Sequence, residues 1–199
     1  MIRKLFFVAG FALCCSLGWA NSLTPEVLSL ADAGVRAVYA LDFDTARQNI
    51  DTLLKKYPNY PLALFGRTMI EWSRFEYEFE KSNPAQAEIF EESISSSIEG
   101  IKQWLKDNGD EAQAYMALGG VYGVKARFEL ANKSYIKAYF SGRKGLKYMN
   151  KATKLDPEMY DAYLGEAIYQ YYAGTLPAVV KVLAKLVVSG DAQKGIDYL

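Results

Sequence analysis

The sequence predicts an all-helical fold of eight or nine helices, joined by short turns and therefore antiparallel to their neighbours. Three observations predict it. Segments such as Lys151–Leu155 and Met159–Tyr172 carry apolar residues at helical spacing. Helix ends are marked by caps and prolines. Strand signal is almost absent. Only "RFEYEFE" (74–80) alternates, with Phe75, Tyr77 and Phe79 between Glu76, Glu78 and Glu80. Trp72, Phe75 and Phe79 equally occupy i, i+3 and i+7 of a helix. No second run is visible to pair with this one, and a lone strand is not stable, so the stretch reads as helix.

The element ends follow in chain order. Thr24-Pro25-Glu26 supplies an N-cap, a proline in the first turn and an early acid. Tyr57-Pro58-Asn59-Tyr60-Pro61 stops one helix and starts the next, and Asn83-Pro84 starts another. Asn108-Gly109-Asp110 and Ser189-Gly190-Asp191 are breaks, each followed by a fresh N-cap. Asp156-Pro157 interrupts what otherwise looks like one long helix. A proline in a helix interior costs about 3 kcal/mol or more, so Pro157 belongs between two helices.

The first twenty residues stand apart. Arg3 and Lys4 precede an apolar run, Leu5–Leu17, too short to span a bilayer, and then Gly18-Trp19-Ala20. This is the pattern of a signal peptide (1–20) cut after Ala20, and it predicts export. An uncleaved anchor is the weaker alternative. A lipoprotein is weaker still, because Leu13 precedes Cys14 where a small residue is expected.

Composition then excludes several chemistries. Both cysteines, Cys14 and Cys15, lie in the signal, so residues 21–199 hold no disulfide or thiolate. There is no histidine anywhere, which removes His-based acid/base catalysis, Ser-His-Asp triads and the usual zinc sites. No metal and no cofactor is expected. Removing Arg3 and Lys4 leaves 21 basic against 23 acidic residues. A net charge of about −2 offers no basic excess for nucleic acid.

A repeat connects the two proline-ended segments. "ARQNIDTLLKKYP" (46–58) and "GLKYMNKATKLDP" (145–157) share a small residue (Ala46, Gly145), an apolar residue four later (Ile50, Met149), Leu53 or Ala152 three after that, and a final proline (Pro58, Pro157). In "YMALGGVY", Tyr115, Leu118, Gly119 and Tyr122 follow an aromatic-x2-Leu-Gly-x2-Tyr spacing, and "LDFDTA" (41–46) turns into a second helix. These features resemble the tetratricopeptide repeat (TPR), a helix–turn–helix unit of about 34 residues. The resemblance implies an antiparallel helix-hairpin, TPR-like superhelix over 21–199. Its units are expected at about 27–60, 61–111, 112–159 and 160–199.

The chain departs from the family pattern at Ala33, Ala37, Glu166 and Gln170. From the second unit on, each carries roughly 14–17 extra residues, about four helical turns. Lengthened helices or an added short helix in each unit would hold them. "LPAVVKVLAKLVV" (176–188) reads as one such insert, buried rather than dipping into a membrane, with Lys181 and Lys185 as its polar residues. Leu199 falls midway through the helix the pattern expects. Gly119, Gly120 and Gly123 each cost a helix up to about 1 kcal/mol, which makes sense where helix axes approach closely.

In this family the first helix of each unit lines a concave groove. Carried onto this chain, the groove positions are Leu62, Phe65, Met69 and Trp72; Gln113, Met116, Gly120 and Val124; and Asp161, Leu164, Ile168, Tyr171 and Tyr172. That set is largely apolar and aromatic. The resemblance therefore implies a non-enzymatic scaffold or adaptor that buries part of a protein partner; with the signal peptide, the expected place is the periplasm of a two-membrane bacterium. The alternative is a carrier of a lipid-like or aromatic small molecule under the inserted helices. Inserted helices covering the groove as ordinary core are the plain structural reading. Ser134-x-x-Lys137 and Ser141-x-x-Lys144 match a serine-enzyme spacing, but the accompanying Ser-Asp-Asn and Lys-Thr-Gly motifs are absent, so no catalytic residue is assigned.

Overall fold

A computed structural model describes residues 24–79 and 84–175. The signal-like residues 1–20, the segment 176–188 and the break at Ser189-Gly190-Asp191 lie outside the described residues. Among the described residues the chain is all-α, with seven helices and no strand: α1 Pro25–Tyr39, α2 Phe43–Lys56, α3 Pro61–Phe79, α4 Pro84–Asn108, α5 Ala112–Ala131, α6 Tyr135–Leu155 and α7 Tyr160–Thr175. Of the expected eight or nine helices, seven lie among the described residues; the helices expected over 176–188 and after Asp191 fall outside them. The extra residues in the second and third units form no added helices. They lengthen α3, α4, α5 and α6 to 19, 25, 20 and 21 residues, against 15 and 14 in α1 and α2.

The punctuation behaves largely as its chemistry requires. Thr24 accepts a hydrogen bond at Oγ1 from Val27 N at 3.3 Å, with Pro25 in the first turn. Pro58 and Pro157 both fall between helices. After α6, Glu158 N donates to Asp156 Oδ1 at 2.9 Å, closing the turn that holds Pro157. "RFEYEFE" lies in α3 as far as Phe79, with Phe75 buried and Glu76 and Tyr77 exposed. One cap differs. Glu111, not Asp110, precedes α5, and it makes no side-chain cap bond. Asp110 instead accepts from the Tyr115 hydroxyl, a partner one turn into the helix.

Successive helices pack in antiparallel pairs. In α1/α2, Glu26 near one start pairs with Lys56 near the other end. In α3/α4, Ser97 donates to Leu64 O at 3.0 Å, while Gln86 donates to Glu71 at 3.0 Å. In α5/α6, Lys151 donates to the Tyr115 hydroxyl at 3.1 Å, and Gly119 faces Gly145. One main core joins α3, α4 and α5 through Leu64, Trp72, Phe75, Phe90, Ile94, Ile101, Leu118, Val121 and Phe128. Phe75, Phe90 and Phe128 meet with ring centroids 5.1–5.9 Å apart. Each such burial contributes roughly 1.5–3 kcal/mol.

The closest approach is between α5 and α6. A Cβ at Gly119 would stand 3.1 Å from Gly145 O and 3.0 Å from Met149 Sδ; one at Gly145 would stand 3.1 Å from Gly119 O. Only hydrogen fits there. Gly120 serves another contact, lying under the Phe65 ring of α3, where a Cβ would meet Cε2 at 2.6 Å. Gly123 differs from the expectation: a Cβ there would meet nothing within 4 Å. It is exposed, with open space above it.

A polar stitch runs through α2, α3 and α4. Glu71 is 1% exposed, accepts from Gln86, and pairs with Arg47 of α2 at 3.0 Å. Thr68, also buried, donates to Ser97 Oγ at 2.9 Å. Such groups remain in a core only while every partner is in place.

Candidate functional site

The odd-numbered helices lie side by side. α3 contacts α1 and α5, and α5 contacts α7. Across α3 and α5 the register is parallel: Tyr60 hydroxyl meets Gln113 Oε1 at 3.4 Å, Phe65 covers Gly120, and Glu76 pairs with Arg127 at 3.0 Å. The even helices α4 and α6 pack on the opposite flank of α5, through Leu118, Val121 and Gly119. The face that α1, α3, α5 and α7 share is thus turned away from their second-helix partners.

The sequence-derived groove positions divide on this face. Met69 is exposed, as are Asp161, Leu164, Ile168 and Tyr171 of α7. Leu62, Phe65 and Val124 are half-buried against the α3/α4/α5 core, and Met116 is half-buried against the cluster formed by Tyr115, Met149, Ala152 and Ala162. Gln113 is half-buried beside Tyr60. Trp72 is 4% exposed and packs on Phe75 and Phe90, so it is core rather than surface. Its remaining ring face is covered by the Arg127 guanidinium at 5.2 Å. Tyr172 belongs to α7, but its side chain lies outside the described ones.

Three contributors were not among the expected positions. Val35 of α1, 54% exposed, extends the odd-helix set beyond the second unit. Gly123 leaves the centre of the α5 face without a side chain. Glu76 and Arg127 close one end of it with an ion pair that ties α3 to α5. The helical spacing Met116–Gly120–Gly123–Arg127 was visible in the sequence, but nothing in it marked which side of α5 stays open.

Electrostatically the face is quiet. Half-buried Arg67 of α3 lies off this face, donating to Ser96 of α4 at 2.9 Å; burial pushes its pKa down, and the carboxylates of Asp51 and Glu71 oppose that. Burial likewise pushes the Tyr60 hydroxyl up, helped by the nearby Glu111 carboxylate. Neither group is aligned with a nucleophile or acid/base partner. Among the described residues no group of three or more Asp and Glu is placed to hold a metal ion. No described helix is long and apolar enough to cross a membrane. The arrangement offers apolar contact area flanked by ion pairs. Comparison of the chain with family models, with curated proteins and with solved structures finds no match.

Proposed function

We propose that this chain is an exported TPR-like scaffold or adaptor, and that the face shared by α1, α3, α5 and α7 docks an amphipathic helix of a protein partner. In this reading the hairpins wind into a superhelix of four units. The odd helices line its inner side, and the protein acts in the periplasm by binding rather than by chemistry. The observation that carries it is the row of exposed apolar side chains on neighbouring odd helices: Val35, Met69, Leu164, Ile168 and Tyr171, with open space over Gly123 between them. A partner helix recognised through apolar anchors at i, i+3, i+4 and i+7 has the shape for such a row.

The test is photo-crosslinking in intact cells, with Met69 and Tyr171 replaced one at a time by a photoreactive residue. A discrete protein adduct from both positions is the expected result, and it names the partner. Crosslinks to lipid alone would favour the carrier reading. Crosslinks only within the chain would mean that the face is internally covered, and would end the scaffold reading for this surface.

A further inference from the structure

A second concavity lies on the other flank of α5. The N-terminal half of α4, the end of α5 and the start of α6 enclose a cleft of about 540 Å³, lined by Glu91, Ile94, Ser95, Lys125, Phe128, Glu129, Asn132, Ser134 and Lys137. Its floor is apolar, from Ile94 and Phe128, and its walls carry both charges.

Two features mark it as built to receive a ligand. The first is Glu129. The residue is only 8% exposed, and one carboxylate oxygen pairs with Lys125 at 3.1 Å. The other, Oε2, is buried with no hydrogen-bond partner. An unsatisfied carboxylate oxygen costs on the order of 1–3 kcal/mol, and a donor brought by a ligand would recover that cost. The second is the surrounding set. Glu91 and Lys137 line the same cleft, and neither makes an ion pair among the described residues. Opposite charges facing one apolar floor suit a molecule that carries both charges itself.

We propose that this cleft binds a free α-amino acid with an apolar side chain. The ligand ammonium donates to Glu129 and Glu91. Its carboxylate accepts from Lys137 and from the hydroxyl or amide of Ser134 and Asn132. Its side chain lies on Ile94 and Phe128. Oε2 is closed to solvent in this structure, so the Glu129 carboxylate rotates to present it to the ammonium, while Lys125 holds Oε1. The site is separate from the partner face, since its lining shares no residue with Val35, Met69, Leu164, Ile168 or Tyr171.

The experiment is calorimetric titration of the purified chain with leucine and phenylalanine, each beside its amide and its N-acetyl derivative. Expected are saturable binding of the free amino acids at or below about 1 mM and at least a ten-fold loss on blocking either charged end. Lys137→Ala and Glu91→Gln change exposed residues and should each weaken binding ten-fold or more with an unchanged thermal melt. The proposal is overturned if neither free amino acid binds. It is equally overturned if blocked and free forms bind alike, or if binding survives in both variants.

Discussion

The first helix pair and the third use the same turn and reach different ends. After α1, the amides of Ala40, Leu41 and Asp42 donate to the carbonyls of Arg36, Val38 and Ala37. After α5, those of Asn132, Lys133 and Ser134 donate to Phe128, Leu130 and Glu129, the same offsets in the same order. Leu41 and Lys133 each take a left-handed backbone, φ 60° and 57°, where glycine is customary. Each turn is followed five residues later by a buried alanine, Ala46 or Ala138. What separates the pairs is length, 15 and 14 residues against 20 and 21. Counted from the shared turn, the added residues lie at the far ends, 112–116 of α5 and 149–155 of α6, while Lys125, Phe128, Glu129, Ser134 and Lys137 stand where the first pair has Ala33, Arg36, Ala37, Asp42 and Thr45. The cleft therefore owes nothing to the added length: it forms where α4 meets a shared turn whose flanking side chains differ between the pairs.

The comparison can be broken most severely at the crossings. Gly119→Leu or Gly145→Leu should destabilise the third pair by about 3 kcal/mol or more, because backbone oxygen stands where the side chain must go. In the first pair the glycine that faces the partner helix is Gly34, where a Cβ would sit 3.8 Å from Ala46 O, an ordinary contact. Gly34→Ala should therefore gain up to about 1 kcal/mol through helix propensity. Thermal or urea unfolding of the three variants decides whether the two crossings differ in this way; equal losses at Gly34 and Gly119 would refute it.

Between the pairs, Gln86→Leu removes the donor to buried Glu71 and should cost about 1–3 kcal/mol. A much smaller loss would mean that Arg47 alone satisfies the carboxylate. The turns give a finer contrast. Asp42 caps α2 by accepting from Thr45 N at 3.1 Å, whereas Ser134 makes no side-chain cap bond. Asp42→Ala should lower the melting temperature by a few degrees and Ser134→Ala should leave it unmoved. The hydrogen bond from Thr45 holds the Asp42 pKa below its ordinary value. The cap's contribution is therefore present above the unfolded carboxylate pKa and is lost as pH falls through the folded one. The melting difference between wild type and Asp42→Ala should vanish in acid.

The smallest effect tests the turns themselves. Leu41→Gly and Lys133→Gly should each stabilise by about 1 kcal/mol, since glycine adopts the left-handed region without a Cβ penalty. Similar gains at both sites are expected if the turns are alike, as their hydrogen bonds indicate.

Much of the fold was legible in the residues. Prolines and caps act within one turn of chain, so Pro25, Pro58, Pro61, Pro84 and Pro157 bound helices wherever they fall. The close approach at Gly119 could be read because only small residues permit it. The turn at Asn132-Lys133-Ser134 could not, since it carries neither proline nor glycine and rests on backbone hydrogen bonds that any side chains allow. The small position of the third unit was accordingly read at Gly145, seven residues after Ala138.

Local chemistry, then, determined that the described chain is helical, where most helices begin and end, and that two of them cross closely. Tertiary packing alone decided which side of each helix stays open. Helical spacing defines a stripe but not its neighbours, so Trp72, assigned to the groove by the resemblance to the repeat family, became core once Phe90 of α4 arrived against it. Gly123, grouped with the crossing glycines because three lie within five residues, faces open space: Gly119 meets Gly145 and Gly120 meets Phe65, while a Cβ at Gly123 would meet nothing. The cleft at Glu129 depends on three helices meeting across more than forty residues of sequence, and no local pattern encodes that meeting.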